Sequence, residues 1–304
     1  MKVSVIIPFY KNPLLIKKTI NSLFNQSLSD IEYIFINDGS EEIPETLITE
    51  NNITDNYKIK ILRNNLNKGI SYSRKLGIEN ADGEYIAFCD SDDFVEPDMY
   101  LRLYDEAVRS NADIVTCSYY IEMNETKIIN KEYGSDKRNI YNDIYGKCEI
   151  ALWDKLFKRE FLINNNILPQ EGFNYYEDCY MTIKALFFSK KIVTIPIPLY
   201  HYVVHTDSSS KINDLENLKS MKHYIEELEF FFKEQNVNTK IYKTLIQRLK
   251  FQYKLKLKQC CTLNNRDEWY KIYKETHSQI LQFPDIPFWD RLKLFLFINF
   301  RLFY

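Results

Sequence analysis

An apolar stretch of strand length ends abruptly in three carboxylates in the segment YIAFCDSDD, which occupies residues 85–93. Continuous apolar runs of this kind are typical of strands buried inside a parallel sheet. Because ligands of open α/β sheets bind just outside the carboxyl ends of such strands, Asp90, Asp92 and Asp93 are predicted to line a site. Their like charges repel one another unless a cation neutralises them, and carboxylate oxygens suit Mg²⁺ or Mn²⁺. An isolated Asp-x-Asp triplet is more often a solvated turn or a helix N-cap, so the segments upstream decide between the two interpretations.

Three further strand candidates precede this run. Residues 3–10 are rich in β-branched side chains, and Pro8 is expected to stop that strand because proline cannot donate to a sheet ladder. Residues 32–36 end in the turn Asn-Asp-Gly-Ser, which contains Asp38, and residues 58–62 form the third run. Polar side chains therefore follow several strands at the edge where a ligand is expected.

Helix signals alternate with these strands. An Asn-Pro pair at residues 12 and 13 is typical of a helix start, and apolar residues recur at helical spacing up to residue 24. A second helix, which carries Arg74, is predicted to follow Gly69. The alternation predicts an α/β fold, with a Rossmann-like and mainly parallel sheet connected by right-handed crossovers.

Taken in order, the motifs resemble those of a known enzyme family. Residues 1–105 contain Pro-x-Tyr-x-Asn, Asn-Asp-Gly-Ser, Asn-x-Gly-x-x-x-x-Arg, and a strand followed by Asp-Ser-Asp-Asp. Later come Leu-Trp-Asp-Lys-Leu-Phe-Lys at 152–158, the pair Glu-Asp at 177–178, and Leu-Tyr-His-Tyr at 199–202 with three serines at 208–210. This series resembles family 2 glycosyltransferases of the glycosyltransferase A fold. The later motifs are similar to the acceptor side of short bacterial members that build lipooligosaccharide, capsule or wall glycans.

The resemblance implies a binding site for a nucleotide diphosphate sugar, usually a uridine one. It places Pro8, Tyr10 and Asn12 at the edge of the base and gives Asp38 a hydrogen bond from the uracil imide. Arg74 is expected near the nucleotide.

The same resemblance assigns the acidic turn to the donor and its metal. Asp90 is expected to hold the ribose, while Ser91 and Asp93 belong to the same donor-binding turn. Asp92 is expected to coordinate Mn²⁺ or Mg²⁺, which offsets the charge that develops on the departing diphosphate. Some relatives place a histidine shortly before the serine pair, where it completes the metal site, and His205 fits that position. A structural role for this histidine is the open alternative.

The resemblance makes Asp178 the base that deprotonates the acceptor hydroxyl in an inverting displacement, with Glu177 as a positioning or acceptor contact. Carboxylates in the first turn of a helix are also favoured by the helix dipole whatever their function. Trp153 is expected either to offer a face to the acceptor sugar or to belong to the core. Lys155 is expected to pair with the diphosphate or with Asp178, or else to be solvated, and His201 is expected to pack beneath the site.

Composition excludes several classes of protein. With 304 residues and 45% hydrophobic content, the chain is long enough to bury a full α/β core. Its six cysteines show no Cys-x-x-Cys spacing, and no secretion signal is recognised, so reduced thiols in the cytoplasm are expected. Gly-x-Gly-x-x-Gly and P-loop motifs are absent from the sequence, which argues against a dinucleotide oxidoreductase or a P-loop enzyme.

The last third of the chain has a different charge pattern. Residues 240–258 contain seven basic side chains and no acidic one. Four of them fall on one face of a helical wheel: Lys243, Lys250, Lys254 and Lys258. Residues 288–304 mix aromatic side chains with Arg and Lys, and are too short and too charged to span a bilayer. Either these helices contact anionic lipid at the cytoplasmic face of the inner membrane, or they pack on the catalytic domain.

These patterns predict three parts: a nucleotide-sugar-binding half at 1–105, an acceptor-binding half at 106–210 and a helical tail at 211–304. The family resemblance implies transfer of a hexose or N-acetylhexosamine, with galactose favoured, from a UDP-sugar to a bacterial surface glycan, which is either free or lipid-linked. A degenerate member that only binds sugar nucleotide or glycan, and a nucleotidyltransferase, are the alternatives. No nucleic-acid-binding module is recognised, so nucleic acid is not an expected partner.

Overall fold

The computed structural model of the protein describes residues 1–11, 13–41, 57–123, 126–129, 151–173, 175–205, 215–237, 239–260, 266–282 and 288–300. Asn12 and the serines at 208–210 lie outside these residues. The described chain divides into two compact units, one from residues 1–137 and 149–208 and the other from residues 209–304. The boundary predicted near residue 105, inside the first unit, stays a prediction.

The first unit is built on one sheet that contains nine strands within the described residues. In chain order they are β1 (Val3–Phe9), β2 (Ile31–Asn37), β3 (Tyr57–Arg63), β4 (Tyr85–Phe88), β5 (Phe94–Val95), β6 (Ile114–Met123), β7 (Thr126–Ile129), β8 (Lys155–Lys158) and β9 (Ile192–Val203). Their order across the sheet is β3-β2-β1-β4-β8-β6-β9-β5, and β7 pairs with β6.

The two halves of the sheet differ in strand direction. β1 pairs in parallel with β2 and β4, and β2 pairs in parallel with β3. Every residue of β1 and β2 is buried, as expected for central strands of a parallel sheet. Beyond β4 the sheet is mixed, because β8 is antiparallel to β4 and β6, whereas β9 is parallel to β6. The predicted α/β fold with its Rossmann-like sheet is confirmed, and the mixed half extends it.

Pro8 does not stop the first strand, which continues to Phe9. The carbonyl of Ile6 accepts a hydrogen bond from the amide of Cys89, on the β4 side. Backbone groups two residues apart in a strand point the same way, so the nitrogen of Pro8 also faces the β4 side. Because β4 ends at Phe88, the missing N–H of Pro8 removes no ladder bond there.

Helices connect and cover these strands. Those of the first unit are α1 (Pro13–Phe24), α2 (Ile70–Glu79), α3 (Met99–Ser110), α4 (Arg159–Asn164) and α5 (Glu177–Phe188). Helix α2 packs closely on β1 and β2 because it presents Gly77, where a Cβ would collide with the side chain of Ile6. This close packing sets the position of α2 and thereby the position of Arg74, which lies on the same helix.

The second unit is helical throughout its described residues. It consists of α6 (Leu215–Glu234), α7 (Lys240–Cys260), α8 (Arg266–Lys271), a 3₁₀ helix (Lys274–Gln282) and α9 (Phe288–Phe300). Side chains of four of these elements form one apolar core: Leu218, Phe251, Leu257, Trp269 and Ile298. None of the described helices is both long enough and apolar enough to cross a bilayer.

Two lysines of the predicted basic face are buried inside this unit. Lys250 forms ion pairs with Glu229 at 2.7 Å and Glu275 at 3.0 Å. Lys254 is fully buried, with its Nζ 4.2 Å from the centre of the Trp269 ring. Both ammonium groups therefore have partners on neighbouring helices of the same unit. Contact of the rest of this helix face with lipid stays a prediction.

Candidate active site

Hydrogen bonds of Asp93 connect the turn after β4 to the rest of the first unit. The hydroxyl of Tyr200 donates to Asp93 Oδ2 at 2.7 Å, and the amide of Val203 donates to Oδ1 at 2.8 Å. Thr19 Oγ1 donates to the Asp93 carbonyl at 2.6 Å. Burial, together with the neighbouring carboxylates, raises the pKa of Asp93, which is 1% exposed. Asp93 therefore faces the interior, where its contacts hold the turn, and the donor contact expected from the sequence stays a prediction.

Asp92 and Ser91 lie in the same turn but are partly exposed. His205, just after β9, places Nε2 3.6 Å from Asp92 Oδ2. Burial and the charge of Asp90 raise the pKa of Asp92, while His205 acts in the opposite direction. A carboxylate oxygen and an imidazole nitrogen on the two sides of one gap fit a cation such as Mn²⁺. In the part of the chain that the structure describes, no three His, Cys, Asp or Glu side chains form a metal-binding group, so the other ligands would come from a bound diphosphate or water.

Arg74 joins the end of β4 to the start of α5. Its Nη2 donates to Asp90 Oδ1 at 2.9 Å, and its Nη1 donates to Glu177 Oε1 at 2.5 Å. The guanidinium is buried, and the carboxylates around it raise its pKa. Arg74, Asp90, Glu177 and Asp178 thus form one electrostatic cluster, in which a single cation is shared by three carboxyl groups.

Burial changes the acid–base properties of the two carboxyl groups at the start of α5. Desolvation, followed by the adjacent Asp178, raises the pKa of Glu177 to about 8, although Arg74 acts against this. Desolvation also raises the pKa of Asp178, again opposed by Arg74. Glu177 is 7% exposed and Asp178 is more accessible. A partly exposed carboxylate with a raised pKa is a stronger base than an ordinary aspartate, which suits proton abstraction.

Asp38 organises the loop between β3 and α2. Its carboxylate accepts hydrogen bonds from Asn64 Nδ2 at 2.8 Å and from the amides of Lys68 and Gly69, each at 2.9 Å. Gly39 follows with φ +80°, and a Cβ there would collide with the backbone of the same loop. Since an ionised carboxylate has about four acceptor positions, Asp38 keeps roughly one for a ligand.

Pro8 and Tyr10, which are also expected near the base, lie at the same edge of the sheet, and Asn12 lies outside the described residues. Pro8 is buried in β1, whereas Tyr10 is 43% exposed just beyond it. The amide of Lys11 donates to Ser40 Oγ at 2.6 Å, which ties this segment to the turn that contains Asp38. The structure therefore brings Tyr10 and the Asp38 turn together.

Trp153 belongs to the core of the first unit. It is buried and stacks on Tyr200, with ring centroids 4.3 Å apart, and on Tyr202 at 5.7 Å. Of the two alternatives that the sequence left open, the core position is the one observed.

Lys155 is buried next to Asp154. Its Nζ donates to Asp154 Oδ1 at 2.5 Å and to the Ala151 carbonyl at 2.7 Å. Of the expected alternatives, the solvated lysine is not the one observed, whereas pairing with Asp178 or with a diphosphate stays a prediction.

Two residues of the site were not singled out from the sequence. Tyr200 links the turn after β4, since its hydroxyl also accepts a hydrogen bond from the Asp90 amide at 3.2 Å. Asn64, at the end of β3, supplies the side-chain donor to Asp38. Tyr200 lies in a recognised motif, but Asn64 lies two residues beyond the predicted end of its strand, and only its position after a strand could have indicated it.

Comparisons with known proteins agree with this architecture. The sequence profile of the family described as "Glycosyl transferase family 2" matches residues 4–187. The chain is 32% identical over 218 residues to the putative glycosyltransferase EpsH of Bacillus subtilis, an alignment that covers 68% of this chain and 62% of EpsH. It is 28% identical over 302 residues to the cholesterol galactosyltransferase of Borreliella burgdorferi, which covers 92% of this chain and 82% of that protein. The chain thus spans less than two thirds of EpsH.

Solved structures share the fold. S. aureus TarS 1–349 in complex with UDP-GlcNAc matches with a TM-score of 0.68 at 18% identity, over 93% of this chain and 82% of that one. The mannosyltransferase PcManGT of Pyrobaculum calidifontis, in complex with GDP-Man and Mn²⁺, matches with a TM-score of 0.59 at 14% identity, over 96% and 78% of the two chains. With the family profile spanning more than half of its length, the chain belongs to glycosyl transferase family 2.

Proposed function

We propose that this protein is an inverting, metal-dependent glycosyltransferase that moves a hexose or N-acetylhexosamine from a UDP-sugar to a hydroxyl of a bacterial surface glycan. The observation that carries the proposal is the bridge formed by Arg74 between Asp90 and Glu177. Through it, the carboxylates that start α5 lie beside the turn expected to hold the donor. The relatives support the substrate class, since one is a galactosyltransferase and one structure contains UDP-GlcNAc.

Asp178 is proposed to take the proton from the acceptor hydroxyl. The acceptor oxygen then attacks the anomeric carbon from the face opposite the UDP, and the bond to the diphosphate breaks. The raised pKa of Asp178 makes this transfer more favourable than it would be for a solvated aspartate. Glu177 and Asp90, held by Arg74, orient the donor sugar and ribose, while Tyr10 and Asp38 flank the base.

Asp92 and His205 are the residues proposed to hold a divalent cation. Such a cation stabilises the negative charge that develops on the diphosphate. The Mn²⁺ in the PcManGT complex supports a metal in this fold. The proximity of Asp92 and His205 is the support that this chain itself offers.

A panel of UDP-sugars tests the proposal. Wild-type protein is incubated with UDP-galactose, UDP-GlcNAc or UDP-glucose, with a glycan acceptor and Mn²⁺, and the free UDP is measured. We expect acceptor-dependent UDP release, with UDP-galactose the favoured donor, and none in EDTA. Release of pyrophosphate from a nucleoside triphosphate would favour the nucleotidyltransferase alternative, and UDP-sugar binding without any release would favour the degenerate binding protein.

Peripheral contact with anionic lipid is the second part of the proposal, and α9 is the segment that supports it. Phe288 and Trp289 are 58% and 68% exposed at the start of this helix, and Arg291 follows them. Exposed aromatic residues beside a cation are typical of interfacial helices. Contact at the cytoplasmic face of the inner membrane would hold the site near a lipid-linked acceptor.

Cosedimentation with vesicles tests this contact. Replacement of Phe288 and Trp289 by Ser should reduce pelleting with anionic vesicles, and added salt should weaken it further because charges on Lys and Arg are screened. Leu66, which is 75% exposed in the first unit, provides the control Leu66→Ser. Equal pelleting of all three proteins would contradict the proposal.

A further inference from the structure

His201 lies on β9 with both of its ring nitrogens against carboxylates. Nε2 is 2.8 Å from Glu96 Oε1, and Nδ1 is 2.8 Å from Glu122 Oε1. The ring is stacked between Phe94, at a centroid distance of 4.0 Å, and Tyr120, at 4.5 Å. The side chain is 2% exposed, so this arrangement lies inside the fold.

This geometry has a consequence for the proton content of the ring. A neutral imidazole has one N–H and one lone pair, so it can donate to only one of two ionised carboxylates. The other carboxylate would then face a lone pair inside the protein, which is unfavourable. Donation from both nitrogens requires the imidazolium form. The distances of His201 to Glu96 and Glu122 are those of two charge-assisted hydrogen bonds.

The residues on both sides of His201 belong to the strands that hold the acidic turn. Glu96 follows β5, and β5 comes directly after Asp92 and Asp93. The amide of Glu96 donates to the Leu199 carbonyl at 2.9 Å, and Phe94 pairs with His201 across the antiparallel strands. His201 is therefore connected through β5 to the turn that contains Asp92.

We propose that His201 is a positioning residue whose imidazolium form joins Glu96 to Glu122, and thereby holds β5 and the preceding turn, with Asp92, in the arrangement that binds the donor. The inference rests on the proposed function, because the hydrogen bonds of His201 affect donor binding only through the position of Asp92. It assigns a role to a histidine that contacts neither the substrate nor the metal.

The charged and titratable groups around the ring come from β5, β6 and α1. Glu96 follows β5, whereas Glu122 and Tyr120 lie on β6, and the Tyr120 ring covers one face of the imidazole. On the far side of Phe94, Lys18 of α1 places Nζ 3.4 Å from the centre of the Phe94 ring. Among the described residues, the two carboxylates are the groups hydrogen-bonded to the ring of His201.

Nitrogen-15 NMR of the imidazoles tests the proton content directly in the full chain. The protein has four histidines, so single replacement of each assigns every signal. We expect both ring nitrogens of His201 to carry protons at the pH where UDP binds in the presence of Mn²⁺. A ring with only one protonated nitrogen at that pH would overturn the proposal, and this readout is taken from the wild-type protein.

Variants test the positioning role, with UDP binding in the presence of Mn²⁺ measured by calorimetry. His201→Gln and Glu122→Gln should each weaken binding by roughly tenfold, the lower end expected for a lost charge-assisted hydrogen bond. The double variant should recover part of the affinity, because two amides can hydrogen-bond to each other without charge. His201→Phe keeps the ring stack but should still weaken binding. Glu106→Gln, which removes a surface ion pair with Arg109, is the matched control and should leave binding unchanged.

The variant His201→Phe separates this role from packing. If packing alone mattered, His201→Phe, which keeps the ring stack, would bind UDP as the wild type does. Equal affinity of wild type, His201→Gln and His201→Phe would overturn the role of His201 alone. Failure of the wild type to bind UDP at all would instead overturn the proposed function, and with it the consequence for Asp92.

Discussion

Two pairs of adjacent carboxylates occupy the candidate site, and each pair is divided in the same way. In the turn after β4, Asp93 is buried on Tyr200 and Val203, whereas Asp92 stays accessible beside His205. At the start of α5, Glu177 is held by Arg74, whereas Asp178 is more exposed. The motifs Asp-Asp and Glu-Asp do not state which member is anchored.

In both pairs the fold fixes the position of a reactive carboxylate through the contacts of its neighbour. One member of each pair takes the hydrogen bonds that hold the backbone, and its neighbour is then presented at a fixed position. Substitution of the anchored member should mainly lower the free energy of unfolding. Substitution of the presented member should mainly lower the rate of sugar transfer.

The largest effect is expected at Asp178. Asp178→Asn removes the proposed base but not the helix start, so kcat should fall by about 10² to 10⁴. The melting temperature and the affinity for UDP should stay near wild type. Sugar transfer assays and calorimetry on the variant check this, with Asp105→Asn on the surface of α3 as the control. Wild-type turnover in Asp178→Asn would move the base elsewhere, with Glu177 the next candidate.

Asp92 should show the next largest effect. Asp92→Ala should lower transfer by roughly 10²-fold, since a bound metal contributes several kcal/mol of charge stabilisation. Its unfolding free energy should change by less than about 0.5 kcal/mol. Titration with Mn²⁺ should restore wild-type protein treated with EDTA but not the variant. Full activity of wild-type protein in the chelator would contradict the assignment of Asp92 to a metal.

Substitution of Asp93 should affect stability more than substitution of Asp92 does. Asp93→Ala leaves the Tyr200 hydroxyl and the Val203 amide without their acceptor, which should cost about 1–3 kcal/mol in urea denaturation. The same measurement on Asp92→Ala is the matched comparison. If Asp92→Ala were the less stable of the two, the division of this pair into an anchored and a presented member would be wrong.

The anchored Glu177 should be recognised by the pH dependence of stability. Its pKa is raised from 4.5 to about 8, so the folded state binds a proton more tightly than the unfolded chain. Stability from this group should therefore be fully present below pH 4.5 and should decline as the pH rises towards 8, by at most about 1.4 kcal/mol per pH unit. Glu177→Gln should remove that part of the slope.

The control for Glu177 is Glu160→Gln. Glu160 also lies in the first turn of a helix but is exposed. Denaturation at several pH values should show no change of slope in this control. An equal change in both variants would mean that Glu177 acts only on the helix dipole.

Local patterns in the sequence were sufficient for the first half of the sheet. Three runs of continuous apolar residues and one alternating run at 58–62, with helix signals among them, predicted β1 to β4 and the turn at Asp90. Parallel strands buried on both faces have a recognisable composition, and the partly buried β3 alternates instead. The strand ends were less certain, as Pro8 shows, since tolerance of a proline depends on where the neighbouring strand ends.

The remaining contacts depend on residues far apart in the chain. Tyr200 meets Asp93 across 107 positions, and Arg74 meets Glu177 across 103. Nothing in the spacing of either motif reports such a meeting. Lys250 and Lys254 follow the same rule, since the sequence placed them on one helix face and the fold buries them against Glu275 and Trp269. Burial of a charge is set by tertiary packing and not by local pattern.

The stack of Trp153 on Tyr200 places an intrinsic fluorophore next to the site. Tyr200 holds both Asp93 and the Asp90 amide, so the indole lies one ring away from the acidic turn. The other two tryptophans of the chain, Trp269 and Trp289, belong to the second unit. A variant with both replaced by Phe would emit from the first unit alone, and its fluorescence would report the state of the turn without any added label.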